Sequence, residues 1–298
     1  MRFGGRSELT PMATLFKQMT VCGVGLIGGS LALIAKREGL VERVVGLGRT
    51  QKNLDLALER GIIDDATRDP AGAASGADLV MLAVPIRTMP ETLAAMMDHL
   101  PPEAVITDVG SVKGWVVRAL EPLLGPRMAL VAAHPVAGKE TTGAVAADPE
   151  LFRDRRVINT PSARSTPEAI GKVETLWRAT GARVERMEPA VHDQLLARAS
   201  HLPQIVASAL GAALADERVG GRLAAEFGAT GLRDTTRIAG SSPEIWRDIC
   251  LTNREAIVSA LQLYRATFDE FLTMVERGDG AALEALFERG RKLRERLK

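Results

Sequence analysis

Gly23-Val24-Gly25-Leu26-Ile27-Gly28 constrains this chain more than any other segment, because it fits GxGxxG between a β-rich run and a helical stretch. Each glycine has its own physical task in such a turn. The first permits the tight bend, the second lets backbone N–H groups approach a pyrophosphate, and the third lets helix and strand pack closely. Alone the pattern is weak. On the first strand of a βαβ unit it points to a dinucleotide.

The surroundings supply that context. Short strand-like runs at 19–23, 43–47, 78–85, 104–109, 129–133, 156–159 and 183–187 alternate with helical stretches such as 29–38, 51–60, 88–100 and 166–180. Continuous apolar runs (VVGL, DLVMLAV, MALVAA) suit parallel strands covered on both faces. The alternation predicts an α/β, Rossmann-like doubly wound sheet over 19–188. After Met187 the strand signal vanishes. Leu195, Leu196, Ala199, Leu202, Val206 and Leu210 recur at helical steps, and Pro203 is expected to kink that helix. The expected plan is a lead-in at 1–18, with Met12 and Met19 as alternative starts, a dinucleotide domain, and an all-α substrate and dimerisation domain at 189–298. With 38 Lys+Arg against 37 Asp+Glu, charge gives no general reason to bind nucleic acid or an anionic membrane. Two cysteines and no apolar run of membrane length point to a reduced, cytoplasmic protein.

Cofactor choice turns on the end of the second strand, where NAD sites usually place a carboxylate ~20 residues on. Here the stretch reads Val45-Gly46-Leu47-Gly48-Arg49-Thr50. A guanidinium grips a 2′-phosphate through paired hydrogen bonds, and Thr50 adds another. The expectation leans to NADP. NAD stays open, since Arg49 stacked on adenine suits either cofactor.

Ligands of doubly wound sheets bind outside the carboxyl ends of strands. Three such ends stand out: Val84-Pro85, Asp108-Val109-Gly110-Ser111-Val112-Lys113-Gly114, and His134-Pro135-Val136-Ala137-Gly138-Lys139-Glu140. Of the four histidines, His99 reads as a surface residue and His192 as a local cap or polar support. His201 beside Pro203 is ambiguous. His134 is the candidate base, because a neutral imidazole suits removal of an alcohol proton while hydride leaves the carbon. No cysteine or histidine spacing fits a metal, and the GxSxG elbow of a serine hydrolase is absent.

These blocks resemble the prephenate/arogenate (cyclohexadienyl) dehydrogenases of tyrosine biosynthesis. The matching segments are 23–29, 108–114, 134–140, 200–203 and Gly231-Leu232-Arg233-Asp234-Thr235-Thr236-Arg237-Ile238-Ala239, leading to Pro243 and Trp246. The resemblance runs in order from about Met19 to the end. It implies oxidative decarboxylation of prephenate or arogenate, with hydride passing to NAD(P). It also implies that His134 partners the substrate hydroxyl and that Ser111 bridges hydroxyl, imidazole and nicotinamide. Arg237 would bind a substrate carboxylate, with Glu140 and Asp234 as an ionic gate around it, and Ser200, His201, Gln204 and Trp246 would line the substrate. Gly23, Gly25, Leu26, Ile27, Gly28, Arg49, Thr50, Val84 and Pro85 would hold the cofactor. One departure is Gln204, where many prephenate-using members carry histidine. An amide cannot supply an imidazolium charge, which leaves prephenate against arogenate, and feedback by tyrosine, open. No fused chorismate mutase or regulatory domain is expected after the last helices.

Two other readings fit parts of the pattern. A β-hydroxyacid dehydrogenase or imine reductase shares the layout but usually lacks the HPxAG turn. A nicotinamide-binding regulatory protein would need no His134. Finally, Ile257, Leu261, Tyr264, Phe268, Phe271 and Val275 advance by about 3.5 residues per turn, the period of a seam. This stripe predicts a homodimer through the helical half.

Overall fold

The structure, a computed structural model, describes residues 14–139 and 141–297. Among these residues the chain forms two compact units. One comprises the chain up to Leu195 together with Ser241–Asn253, and the other Leu196–Gly240 with Arg254 onward.

The first unit is built on a sheet of strands β1 (Phe16–Cys22), β2 (Val41–Leu47), β3 (Asp65–Thr67), β4 (Leu79–Leu82), β5 (Val105–Asp108), β6 (Ala129–Pro135), β7 (Arg156–Pro161) and β8 (Arg183–Arg186). Their order is β3-β2-β1-β4-β5-β6-β7-β8. The chain therefore winds outward from β1 to β3, returns to the centre, and winds out the other way from β4. The switch point falls between β1 and β4, where the glycine turn emerges. Helices α1 (Leu26–Arg37), α2 (Gln51–Glu59), α3 (Pro70–Ala74), α4 (Met89–Ala94), α5 (Lys113–Leu120) and α6 (Pro167–Ala179) link the strands. Met19, Val21, Leu79, Met81 and Val131 are fully buried, as strands covered on both faces require. Thr166 caps α6 by accepting the Ala169 N–H at 3.2 Å, so this helix begins and ends within a residue of the predicted span.

Several details differ from the sequence expectations. Strand β1 begins at Phe16, inside the expected lead-in, and the rest of that lead-in up to residue 13 lies outside the described residues. Strand β7 runs antiparallel to β6, with His134 opposite Ile158, because the described residues of the 136–155 connection form no crossover helix and the chain turns back. Strand β4 ends at Leu82, short of Val84. The helix expected over 88–100 is interrupted, with 3-10 turns at Ile86–Thr88 and Met97–His99 flanking α4.

After β8 come α7 (Pro189–Leu196) and α8 (Leu202–Leu214), joined by a π turn over Ala197–His201. The Leu202 N–H reaches back five residues to the Ala197 carbonyl, a register change that ends where Pro203 lacks a donor. Pro203, expected inside one kinked helix, instead stands in the first turn of α8 just after the π turn. The helical unit also contains a hairpin the sequence reading did not include: β9 (Arg218–Val219) and β10 (Arg222–Leu223), antiparallel around Gly220 and Gly221. Both glycines have positive φ, 58° and 80°, as a tight hairpin turn demands. Then follow α9 (Thr230–Thr236), α10 (Pro243–Thr252), α11 (Arg254–Arg277) and α12 (Gly280–Arg296), of which α10 packs in the first unit. No described helix is long and apolar enough to cross a membrane.

Candidate active site

The glycine turn has the geometry of a dinucleotide cradle, and the surroundings of Gly23 and Gly28 show why glycine stands there. Gly23 has φ +95°, and a Cβ on it would fall 2.5 Å from the Ala83 carbonyl oxygen. A Cβ on Gly28 would fall 2.5 Å from the Gly23 carbonyl oxygen and 2.8 Å from Val21 Cγ1, so α1 can approach β1 only with glycine there. Gly25 differs from both: it faces open space, with nothing within 4 Å of where a Cβ would stand. No side chain caps α1 at Gly25, so the first-turn amides of Leu26 and Ile27 are the helix's own anion-facing donors. These features fit a bound pyrophosphate. Val84 lies against the same turn, its Cγ1 3.1 Å from the Gly23 Cβ position, and Pro85 begins the next turn. At the end of β2, Arg49 and Thr50 are exposed, and no acidic residue occupies the first turn of α2.

At the same edge of the sheet, β5 and β6 deliver the chemical groups. His134 is the penultimate residue of β6 and is buried. Ser111 is half-buried in the turn between β5 and α5. Beneath them lies a buried polar network. Lys113 and Asp108 are both fully buried and form an ion pair. The Lys113 Nζ also donates to the Ala133 carbonyl at 2.7 Å, while Asp108 accepts the N–H groups of Gly110 (2.7 Å) and Ala133 (3.2 Å). Burial pushes the Lys113 ammonium below the ordinary lysine value, against the pull of Asp108. The ammonium therefore ties the end of β5 to the backbone immediately before His134.

His192 completes this edge. It is fully buried, its Nε2 lies 2.8 Å from His134 Nδ1, and its Nδ1 lies 2.8 Å from Asp193 Oδ1. The two imidazoles meet edge-on, with ring centroids 5.0 Å apart. Burial lowers the pKa of His192 below its ordinary value, although Asp193 pulls it upward. The sequence alone reads His192 as a local cap or polar support and does not pair Lys113 with Asp108. Their partners lie 58 and 80 residues away or across a βα turn, beyond the reach of local spacing.

Trp246 is half-buried on α10, whose Asp248 is buried between Arg247 (2.8 Å) and Arg87 (3.8 Å). Arg87 belongs to the turn that follows Pro85, so α10 is tied to the loop after β4. In the helical unit, His201 and Gln204 are buried and Ser200 half-buried around the π turn. Helix α8 packs on the 3-10 turn Arg237–Gly240. Arg237 and Asp234 are exposed there. Glu140 lies outside the described residues.

Sequence comparison agrees with this architecture. Residues 31–186 match the family model described as the nucleotide-binding domain of prephenate dehydrogenase, and residues 188–289 match its dimerization domain. A cyclohexadienyl dehydrogenase of Zymomonas mobilis is 35% identical over 286 residues, covering 96% of this chain and 97% of the relative. The crystal structure of an Aquifex aeolicus prephenate dehydrogenase with hydroxyphenyl propionate and NAD+ superposes with a TM-score of 0.91. It is 31% identical and covers 96% of this chain and all of that one. A Synechocystis arogenate dehydrogenase gives a TM-score of 0.81, also at 31% identity, over 94% of this chain and all of that one.

Proposed function

The chain belongs to the prephenate dehydrogenase family, and from that premise we propose that it oxidatively decarboxylates prephenate, arogenate or both, with hydride transfer to NAD(P). The observation that carries this reading is His134, set buried at the end of β6 on the same sheet edge as the glycine turn.

A bound nicotinamide accepts the hydride from the ring carbinol carbon. His134 takes the hydroxyl proton as that hydride leaves, so the O–H electron pair remains to form the carbon–oxygen double bond. Loss of CO₂ then returns an electron pair to the ring, and the proton held by His134 goes back to the now phenolic oxygen. The net reaction releases one CO₂ and no proton. Aromatisation supplies much of the driving force, so the protein chiefly positions groups and holds a proton. Ser111 bridges hydroxyl and imidazole. The fixed fork of Arg237 suits a substrate carboxylate, with Asp234 and Glu140 as its ionic neighbours. Ser200, His201, Gln204 and Trp246 contact the substrate, and the neutral amide of Gln204 suits either a keto-acid or an amino-acid side chain.

Gly23, Gly25, Leu26, Ile27 and Gly28 hold the pyrophosphate, Val84 and Pro85 border the nicotinamide, and Arg49 with Thr50 prefers NADP through its 2′-phosphate. The enzyme works as a homodimer in the cytoplasm. Tyr264, Phe268 and Val275 of the stripe remain exposed on α11, as does Phe287 on α12, and clustered exposed apolar residues of this kind mark an interaction surface. That exposure favours a seam between copies over packing against α8 alone.

Assaying both substrates with both cofactors tests the activity. Expected products are equimolar CO₂ and reduced cofactor, with tyrosine from arogenate or 4-hydroxyphenylpyruvate from prephenate. Reduction of the cofactor by a simple β-hydroxyacid with no CO₂ would instead support the rival dehydrogenase class.

A further inference from the structure

Three buried groups behind His134 have no role in the mechanism so far: His192, Asp193 and the first amides of α5. Asp193 accepts at both oxygens. Its Oδ1 receives the Lys113 N–H at 2.7 Å, and its Oδ2 receives the Gly114 N–H at 2.8 Å. A Cβ on Gly114 would fall 2.8 Å from Oδ2, so glycine at this position is what admits the carboxylate to the end of α5. The side chain of Asn253 adds a third tether, donating to the Asp193 carbonyl at 2.9 Å. The carboxylate is thereby fixed in place and acts as an acceptor only.

Proton positions follow from that fixed acceptor. The bond between His192 and Asp193 needs its hydrogen on His192 Nδ1, because a carboxylate has none to give. Full burial lowers the pKa of His192 and so favours its neutral form, and a neutral imidazole carries a single N–H. Its Nε2 is therefore an acceptor, and the partner 2.8 Å away, His134 Nδ1, must donate. The basic lone pair of His134 then resides on Nε2.

We propose that His192 and Asp193 are positioning residues that fix His134 as its Nδ1–H tautomer, so that Nε2 is the nitrogen that takes the substrate's hydroxyl proton. The inference rests on His134 being the base of the reaction proposed above. When Nε2 gains the proton, the imidazolium keeps its Nδ1–H bond to His192, and the Asp193 carboxylate lies one hydrogen bond further on. No bond to His192 or Asp193 breaks in the cycle. The charged groups acting on His192 are Asp193 on α7, Lys113 on α5 and Asp108 on β5, the last two paired with each other.

The test reads tautomers directly. With ¹⁵N-histidine incorporated into the full chain, His99, His134, His192 and His201 are resolved by single substitutions, without substrate and near neutral pH. Expected is a His134 with pyrrole-type Nδ1 and pyridine-type Nε2. His192→Phe should shift it towards the Nε2–H form. It should also lower kcat by ~10- to 10²-fold, a typical acid–base loss, leave cofactor affinity unchanged, and move the acid limb of the kcat profile to lower pH. His192→Gln, whose carbonyl can accept at the same place, should recover part of each effect. A native His134 in the Nε2–H form overturns the proposal even if every variant fails to fold. So does a folded His192→Phe variant with unchanged tautomer and unchanged acid limb. Because the tautomer is read without turnover, a chain with the expected tautomer that turns over neither prephenate nor arogenate overturns the proposed function instead.

Discussion

Replacing Lys113 with methionine removes one member of an ion pair from which water is wholly excluded, because Lys113 and Asp108 are both 0% exposed. Methionine fills a similar volume, so packing changes little and the loss is electrostatic. The remaining Asp108 still accepts the Gly110 and Ala133 N–H groups but has lost its counter-charge. Stranding one partner of a buried pair costs about 3–5 kcal/mol. For a unit of this size that lowers the melting temperature by roughly 2–4 °C for each kcal/mol. Trp115, Trp177 and Trp246 all lie in the first unit, so tryptophan fluorescence during urea unfolding reports on that unit without the helical one. Asp108→Asn should be destabilising by a similar mechanism, leaving a lysine unpaired. The double variant Lys113→Met/Asp108→Asn should be less destabilised than the sum of the singles by about 1–3 kcal/mol, the coupling expected between contacting groups. Strict additivity, or a Lys113→Met variant within about 0.5 kcal/mol of the native protein as for an ordinary surface change, would refute the pairing.

Other outcomes follow from separate parts of the structure. Arg49→Ala should weaken NADP by about 1.5–3 kcal/mol, the range for a hydrogen bond to a charged group, and leave NAD nearly unchanged. Titration calorimetry with each cofactor checks this, and equal losses would make Arg49 an ordinary loop residue. Sedimentation at micromolar concentration should give a dimer, whereas one species near 31.9 kDa would contradict it. Leu261→Asp should reduce assembly and activity together, because a charge in an apolar seam is costly. Glu174 is buried and accepts from Arg186 and Arg178, which hold its carboxyl below the ordinary value of 4.5. Its contribution is thus present above that value and lost as pH falls through the lower, folded-state one. Glu174→Gln should cost about 1 kcal/mol at pH 7, given the exposed arginines. The difference should close below pH 4.5, and a pH-independent deficit would argue against the charge as its cause.

Much of this architecture was legible because it is written locally. The turn from Gly23 to Gly28 reports a positive φ, an open approach and a close helix contact within six residues. His134 follows an unbroken apolar strand, which no packing requirement explains. Strand β3 is not legible in the sequence because three residues, Asp-Ala-Thr, carry no usable period. The hairpin around Gly220-Gly221 had a signal, a glycine doublet, that was overshadowed by the helical steps on either side. His192 and Asp193 were hidden for a different reason. Their meaning depends on α5 and β6 arriving from elsewhere in the chain, and nothing adjacent to them in sequence records that meeting. The antiparallel direction of β7 likewise depends on how a connection folds back rather than on the strand's own residues.

His134 as the proton acceptor of a cyclohexadienol oxidation is the role on which the proposed chemistry depends most. Steady-state kinetics of His134→Asn, measured beside cofactor binding from pH 5 to 9, isolates that role. The native enzyme should lose kcat/KM on the acid side, because a protonated imidazole cannot accept the substrate's proton. His134→Asn should lower kcat by about 10²-fold or more, the usual scale of acid–base catalysis, and abolish that limb while binding cofactor nearly as before. A variant that keeps most of its kcat and the same acid limb would contradict His134 as the base.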